Sequence, residues 1–349
     1  MSDKYPVQID NKPWLKQVFD ELTASHAQGR LAHAPLFAGP QGLGKFALAQ
    51  SLARVLLCVS PGFPKPCGQC TGCALAASDN HPDLLVISPA EGKQVVGIDA
   101  IRKLISRLGV KSHQGGYRTV LFPELTNMTF AAANSLLKVL EEPPPDTFFL
   151  CCSAHAGVLL PTIRSRLQMY RINPPSRSAA LAWLRNTAQL DKLEAENFLA
   201  LAQGAPLKVA AMLERDFSQQ RRQVLNLFML CHSGSGGGVM TVIRNLTACS
   251  LRDNLALIAA CLFDLLHLHY NPDVDPSRLN FPDEAELLRK LLQNNGRKIN
   301  PRRLFTAYDQ LLTMQDACVK GIAVDQQLQL FNLAGLIGAM LRPAQKKAA

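Results

Sequence analysis

Gly39-Pro40-Gln41-Gly42-Leu43-Gly44-Lys45-Phe46 decides how this chain is read. The apolar run Leu36-Phe37-Ala38 precedes it, and Ala47, Leu48, Leu52, Val55, Leu56 and Leu57 continue a helical pattern after it, so the stretch occupies a strand-to-helix turn. In that setting successive backbone N–H groups cradle phosphates and the lysine reaches their oxygens. The last position departs from the pattern. It normally carries Ser or Thr, whose hydroxyl holds the magnesium ion bridging the β- and γ-phosphates, and the phenyl ring of Phe46 has no oxygen to offer.

Working outward, Leu84-Leu85-Val86-Ile87, Thr119 to Phe122, Phe148 to Cys152 and Leu167 to Ile172 predict further strands. The first of these reads as a run buried in a parallel sheet. Between them the spacing predicts a helix over 13–28 with Trp14, Val18, Phe19 and Leu22 on one face. A second helix carries Ile101, Leu104, Ile105 and Leu108, with Asp99 as its cap, and a third over 130–142 is stopped by Pro143-Pro144-Pro145. Strands alternating with helices imply a parallel βαβ sheet, with any ligand at the carboxyl ends of the strands. Beyond Asn173-Pro174-Pro175 the pattern changes to short helices, broken at Gly204-Ala205-Pro206. After about Arg215 it is helical, interrupted by a mobile glycine-rich loop at Gly234 to Gly238, by Asn271 to Pro282 and by Asn295-Gly296.

The other half of a nucleotide site is sought at the end of the strand through Val120-Leu121-Phe122. An acidic pair is expected there, the Asp assisting the metal and the Glu polarising the attacking water, but the residues are Pro123-Glu124. Phe46 and Pro123 together remove both protein groups that would hold magnesium, while Gly39, Gly42, Gly44, Lys45 and Glu124 remain. Phosphoryl transfer depends on positioning and on charge stabilisation by the metal, so hydrolysis is not expected. Two readings of the loop stay open: a structural turn with Lys45 reaching backbone carbonyls, or ATP binding that is weak and without turnover.

Cys58, Cys67, Cys70 and Cys73 are spaced C-x8-C-x2-C-x2-C, with Pro61, Gly62, Pro64, Pro66, Gly68 and Gly72 supplying tight turns. Four sulfurs at this spacing suit a closed, structural tetrahedral Zn2+ site; a redox pair at Cys67 and Cys70 and an iron–sulfur cluster are the alternatives. The other six of the ten cysteines read as small apolar core residues. His33, His81, His113 and His155 lack metal spacing and read as surface or capping residues. Thr162-Ile163-Arg164-Ser165-Arg166, taken alone, reads as a surface turn.

At 349 residues the chain is long enough for two or three domains. The polar N-terminus, the absence of any apolar run of about 18 to 20 residues, and the uneven cysteine distribution lead to the expectation of a cytoplasmic protein in a reducing compartment, with no membrane association. A net charge of +10 permits nucleic-acid or acidic-protein partners, but the charge is dispersed.

Together these residues resemble the clamp-loader branch of the AAA+ ATPases. The resemblance rests on Arg30-Leu31-Ala32-His33-Ala34, the phosphate loop, the four inserted cysteines, Ala133-Asn134-Ser135-Leu136-Leu137-Lys138-Val139-Leu140-Glu141-Glu142-Pro143-Pro144, and Ile163-Arg164-Ser165-Arg166, and it spans about residues 12 to 175. It implies an AAA+ P-loop α/β domain over 1–172 with a zinc module at 58–73, a small helical lid domain over 173–215, and an all-α collar over 216–349. It further implies a hetero-pentameric ring with motor (gamma/tau-type) and delta-type subunits that loads a sliding clamp onto primed DNA within a replicative polymerase holoenzyme. The family's Ser-Arg-Cys motif falls on Ser165-Arg166-Leu167, which makes Arg166 a finger acting in trans on the ATP of a neighbouring motor subunit. A second arginine contact of active members falls near Leu207 or Lys208, and neither is arginine. The degenerate loop favours a non-hydrolysing member; a hydrolysing motor subunit and a zinc-containing DNA-binding adaptor are the rivals. Against the adaptor, Lys65 is the sole basic residue between the first and last of the four cysteines.

Overall fold

The computed structural model describes residues 9–62, 65–78, 80–91, 93, 95–188, 192–214, 217–234, 236–247, 251–294, 297–298, 300–319 and 325–341. The polar N-terminal stretch, Pro64, Ser235 and Asn295-Gly296, all invoked above, lie wholly or in part outside them. Two compact units divide the chain between Pro175 and Ser176.

In the first unit, α1 (Pro13–Ala27), β1 (Pro35–Ala38), α2 (Lys45–Leu56), α3 (Thr71–Ala77), β2 (Leu84–Val86), α4 (Ile98–Leu108), β3 (Arg118–Phe122), α5 (Phe130–Glu141), β4 (Thr147–Ser153), α6 (Pro161–Arg164) and β5 (Gln168–Arg171) follow one another. The strands form one parallel sheet in the order β2-β3-β4-β1-β5, with Leu36 opposite Cys151 and Met169, and Val120 opposite Phe149. The three central strands β3, β4 and β1 are buried along their whole length, which is why they read as continuous apolar runs.

Side chains alternate across the sheet. Leu36, Ala38, Val120, Phe122, Phe149 and Cys151 join one core with Ile101, Leu104, Leu136 and Leu140 of α4 and α5. The alternate residues of β1, β3 and β4 face the other way, where α2 packs. Cys151 and Cys152 are fully buried, one toward each face, as small core residues. Buried Arg118 closes the amino end of β3: its Nη1 donates to the Leu108 and Val110 carbonyls at 2.6 and 2.5 Å and its Nη2 to Pro145 at 3.4 Å.

Three readings need correction. The β2 run is an edge strand with Val86 48% exposed, because it stands at the end of the sheet order with β3 on one side only. Asp99 does not cap α4. The cap is Gly97, and Asp99 sits in the first turn, where a carboxylate complements the helix dipole and pairs with Arg102 at 3.7 Å. The glycine-rich stretch of the second unit is in part helical: Gly236, Gly237 and Gly238 begin a helix, and a Cβ on Gly238 would lie 3.0 Å from the Leu230 side chain.

The second unit is helical, with α7 (Arg177–Ala188), α8 (Lys192–Leu201), α9 (Pro206–Glu214), α10 (Phe217–Ser233), α11 (Gly236–Thr247), α12 (Leu251–Tyr270), α13 (Ala285–Leu292), α14 (Pro301–Val319) and α15 (Gln326–Leu341). Its one sheet among the described residues is a two-residue antiparallel ladder, β6 (Gln293–Asn294) with β7 (Arg297–Lys298). The stretch after α12 is tied down by fully buried Asp264, whose carboxylate accepts from the Asn280 backbone N–H and Nδ2, both at 2.9 Å, and from the Phe281 N–H at 2.8 Å. Burial pushes the Asp264 pKa up, and those donors pull against it. Asp264→Ala leaves three donors without their acceptor, the Phe281 N–H buried and the two of Asn280 part-buried. We expect it to cost about 2–3 kcal/mol, read as a lower thermal midpoint, with Asp264→Asn recovering part of the loss.

Candidate functional site

The phosphate loop hangs from the carboxyl end of β1, between its sheet neighbours β4 and β5. The Gly39 N–H donates to the Ser153 carbonyl at 3.1 Å, and the Ile172 N–H donates to the Ala38 carbonyl at 2.8 Å. A Cβ on Gly39 would lie 2.2 Å from the Ile172 carbonyl oxygen, so only glycine fits. Gly42 and Gly44 take φ values of 79° and 83°, left-handed backbone in which an L side chain is strained, and Gly44 then caps α2. The turn therefore keeps the geometry of a phosphate cradle.

Its side chains are committed elsewhere. Buried Lys45 donates from Nζ to the Pro40 carbonyl of its own loop at 2.7 Å. Burial pushes the Lys45 pKa down, while the Glu124 carboxylate and Cys152 push it back up. Glu124 is occupied on both oxygens: Oε1 accepts from Thr126 Oγ1 at 2.6 Å and Oε2 from the Ala154 N–H at 2.9 Å. It thus ties the end of β3 to the end of β4. Trp14 of α1 donates from Nε1 to the Leu43 carbonyl at 2.9 Å and pins the loop from above. The structure brings Lys45 and Glu124 into one electrostatic neighbourhood, with Phe46 half-buried beside Lys45 in α2 and Pro123 opening the turn after β3.

The four cysteines converge. Cys58 follows α2, Cys70 caps α3, Cys73 lies within α3, and all four sulfurs lie within 4.8 Å of one another. Two of the separations are 3.9 Å (Cys58 to Cys70) and 4.0 Å (Cys67 to Cys73), against an edge of about 3.8 Å for four thiolates around a zinc-sized ion. The backbone N–H groups of Cys67 and Cys73 point at Cys58 and Cys70 sulfur, each at 3.4 Å. Gly72 lets α3 lie against the end of α2, since a Cβ there would be 2.3 Å from the Leu57 carbonyl oxygen. Backbone N–H groups of Gln69 and Cys70 pull the Cys67 pKa down to about 6, whereas burial pushes Cys58 and Cys73 up. Four crowded thiols of unequal acidity become four thiolates only around a cation, so the set fits a metal and could hold one.

His81 departs from the surface reading. It is 4% exposed beneath this module, its Nδ1 accepts from the Asp83 N–H at 3.1 Å, and burial lowers its pKa. Asp83 in turn accepts from the N–H groups of His113 and Gln114.

Ser165 closes α6 and donates to the Thr162 carbonyl at 2.9 Å. Arg166 follows, exposed, with Nη2 at 3.2 Å from Glu141 Oε1 and Nη1 at 3.5 Å from Ser165 Oγ. No spacing rule joins residues 141 and 166; the pair exists because β5 returns beside β1, which carries the turn before it to the end of α5. Trp14, Thr126 and Ala154 were likewise invisible as site residues, since each contributes through one hydrogen bond set by the fold.

Residues 14–176 match the family described as DNA polymerase III, delta subunit, and residues 215–335 match DNA polymerase III, delta subunit, C terminal. DNA polymerase III subunit delta' of Escherichia coli K12 is 30% identical over 331 residues, covering 95% of this chain and 96% of that protein. The subunit of the same name from Pseudomonas aeruginosa PAO1 is 31% identical over 330 residues, covering 92% and 95%. DNA polymerase III subunit gamma/tau of Mycobacterium tuberculosis is 37% identical over 162 residues, 46% of this chain and 28% of that protein. A phosphate loop after the first strand of a β2-β3-β4-β1-β5 parallel sheet, followed by a helical unit, defines a P-loop protein of the AAA+ type. The chain belongs to the family of DNA polymerase III delta' subunits.

Gly39→Ala forces the Ile172 strand end away from the loop. We expect a loss of about 2–4 kcal/mol in the first unit, measured by denaturant unfolding.

Proposed function

We propose that this chain is the non-hydrolysing delta' member of a clamp loader, which holds the geometry of a hetero-pentameric ring and lends Arg166 to the ATP site of a neighbouring gamma/tau-type motor subunit. The observation that carries the reading is the closed state of its own phosphate loop. Lys45 donates to the Pro40 carbonyl, and Glu124 accepts from Thr126 and Ala154, so both side chains serve the loop and the strand ends in this structure. Phe46 and Pro123 add no oxygen for magnesium, and without that ion the charge that develops on a transferred phosphoryl has nothing to meet it. The loop acts as a scaffold turn, with ATP bound weakly or not at all.

Arg166 supports the complementary half. It is exposed, carries a guanidinium able to bridge two phosphate oxygens, and sits on a turn braced by Ser165. In this reading residues 173–215 form the lid and 216–349 the collar that joins delta-type and motor subunits. The assembly acts in the cytoplasm on a sliding clamp and primed DNA. Membrane attachment is no part of it, and no described helix is long and apolar enough to cross a bilayer.

The metal of the cysteine cluster is Zn2+ in this reading, held by Cys58, Cys67, Cys70 and Cys73 with no open position. It supplies a cross-link between the end of α2 and α3, and catalysis does not involve it.

Two experiments test these assignments. The purified chain should show no ATP turnover above background. In the reconstituted loader, Arg166→Ala should remove the DNA-stimulated turnover contributed by the adjoining motor site, a loss of about 10³-fold or more at that site. Unchanged turnover in the assembled variant refutes the finger.

For the metal, elemental analysis should find one zinc per chain. Because thiolates are the ligands, protonation competes with the ion: zinc stays bound at neutral pH and is released as pH falls below the acidity of the bound thiols. Cys70→Ser should lower both zinc content and thermal midpoint. Full fold stability in a zinc-free, chelator-treated protein would sink the structural role.

A further inference from the structure

Arg166 does not stand free in the folded chain; it is held by Glu141, and the position of that carboxylate is informative. Glu141 is the last residue of α5, and Glu142 follows as its C-cap. The carboxyl end of a helix carries partial negative charge, so two acidic residues there are electrostatically unfavourable unless a cation joins them. Lys138 stands in the last turn, and Arg166 adds a second cation, with Nη2 3.2 Å from Glu141 Oε1 and Nη1 3.5 Å from Ser165 Oγ. The pair is nevertheless open to water: the two side chains are 46% and 49% exposed. An ion pair of that exposure is worth about 0.2–1 kcal/mol, enough to orient a side chain and too little to keep it from a multiply charged phosphate.

Resting on the finger reading above, we propose that Glu141 is a restraint on that finger: it holds the Arg166 guanidinium beside α5 in the free chain and surrenders it to the phosphate oxygens of the neighbour's nucleotide. The exchange is of hydrogen-bond acceptor only, carboxylate for phosphate, with no bond made or broken. Glu141 therefore competes with the nucleotide for the same donors. Removing its charge while keeping its shape leaves the arginine more available.

The test uses the reconstituted loader with Glu141→Gln in this chain. At about 50 mM salt we expect kcat/KM for ATP in the DNA-stimulated reaction to rise about two- to fivefold, the kinetic equivalent of an exposed ion pair. The gain should shrink toward unity at about 0.5 M salt, where exposed charges are screened. On an Arg166→Ala background the same substitution should change nothing. Equal or lower kcat/KM for the single variant, a gain insensitive to salt, or a gain that persists without Arg166 would each overturn the proposal. If Arg166→Ala alone leaves turnover unchanged, the finger reading itself fails. If Arg166→Ala is impaired and Glu141→Gln is silent, only the role of Glu141 falls.

Discussion

The carbonyl oxygen of Ile172 stands where any side chain on residue 39 would have to go, and the first unit is arranged around that contact. It lets the loop leave β1 flat against the end of β5, while the Gly39 N–H reaches β4 through Ser153. Three adjacent strand ends thereby share one backbone junction, and a side chain at its centre would separate them. Gly42 and Gly44 then complete the turn into α2 in left-handed backbone. The main chain of the loop is thus constrained by the sheet that it closes.

Side chains could change where the main chain could not. Lys45 satisfies its ammonium group on Pro40, and Glu124 braces two strand ends, so both groups now serve the fold. A buried lysine must find an acceptor and a half-buried carboxylate its donors; local bonds provide both without a nucleotide. Arg166 is paired but accessible, since exposure keeps desolvation small and its ion-pair partner is a single carboxylate.

Legibility in the sequence followed how local the physics is. The central strands were readable because burial on both faces demands unbroken apolar runs, and the cysteine cluster because four ligands within sixteen residues need only tight turns to converge. Edge position was not readable for β2, since Leu84 to Val86 has the composition of a buried strand and only the sheet order exposes it. Asp99 had the chemistry of a cap and lies two residues too late; Gly236 to Gly238 had the composition of a loop, and packing against Leu230 drew it into a helix. His81 looked like a surface residue because nothing in its neighbours along the chain announces the module that covers it.

The sequence by itself determined the parallel α/β class, the strand-to-helix turn at Gly39 to Phe46 and the cysteine set, each of which depends on patterns local to its own segment. Tertiary structure alone decided that Glu124 joins β3 to β4 and that Arg166 rests on Glu141. Those contacts depend on the crossing order of the strands, which brings residues 124 and 154, or 141 and 166, to one place. Hydrogen bonds act over about 3 Å, and no periodicity in a sequence encodes a distance of that kind between segments that meet only after folding.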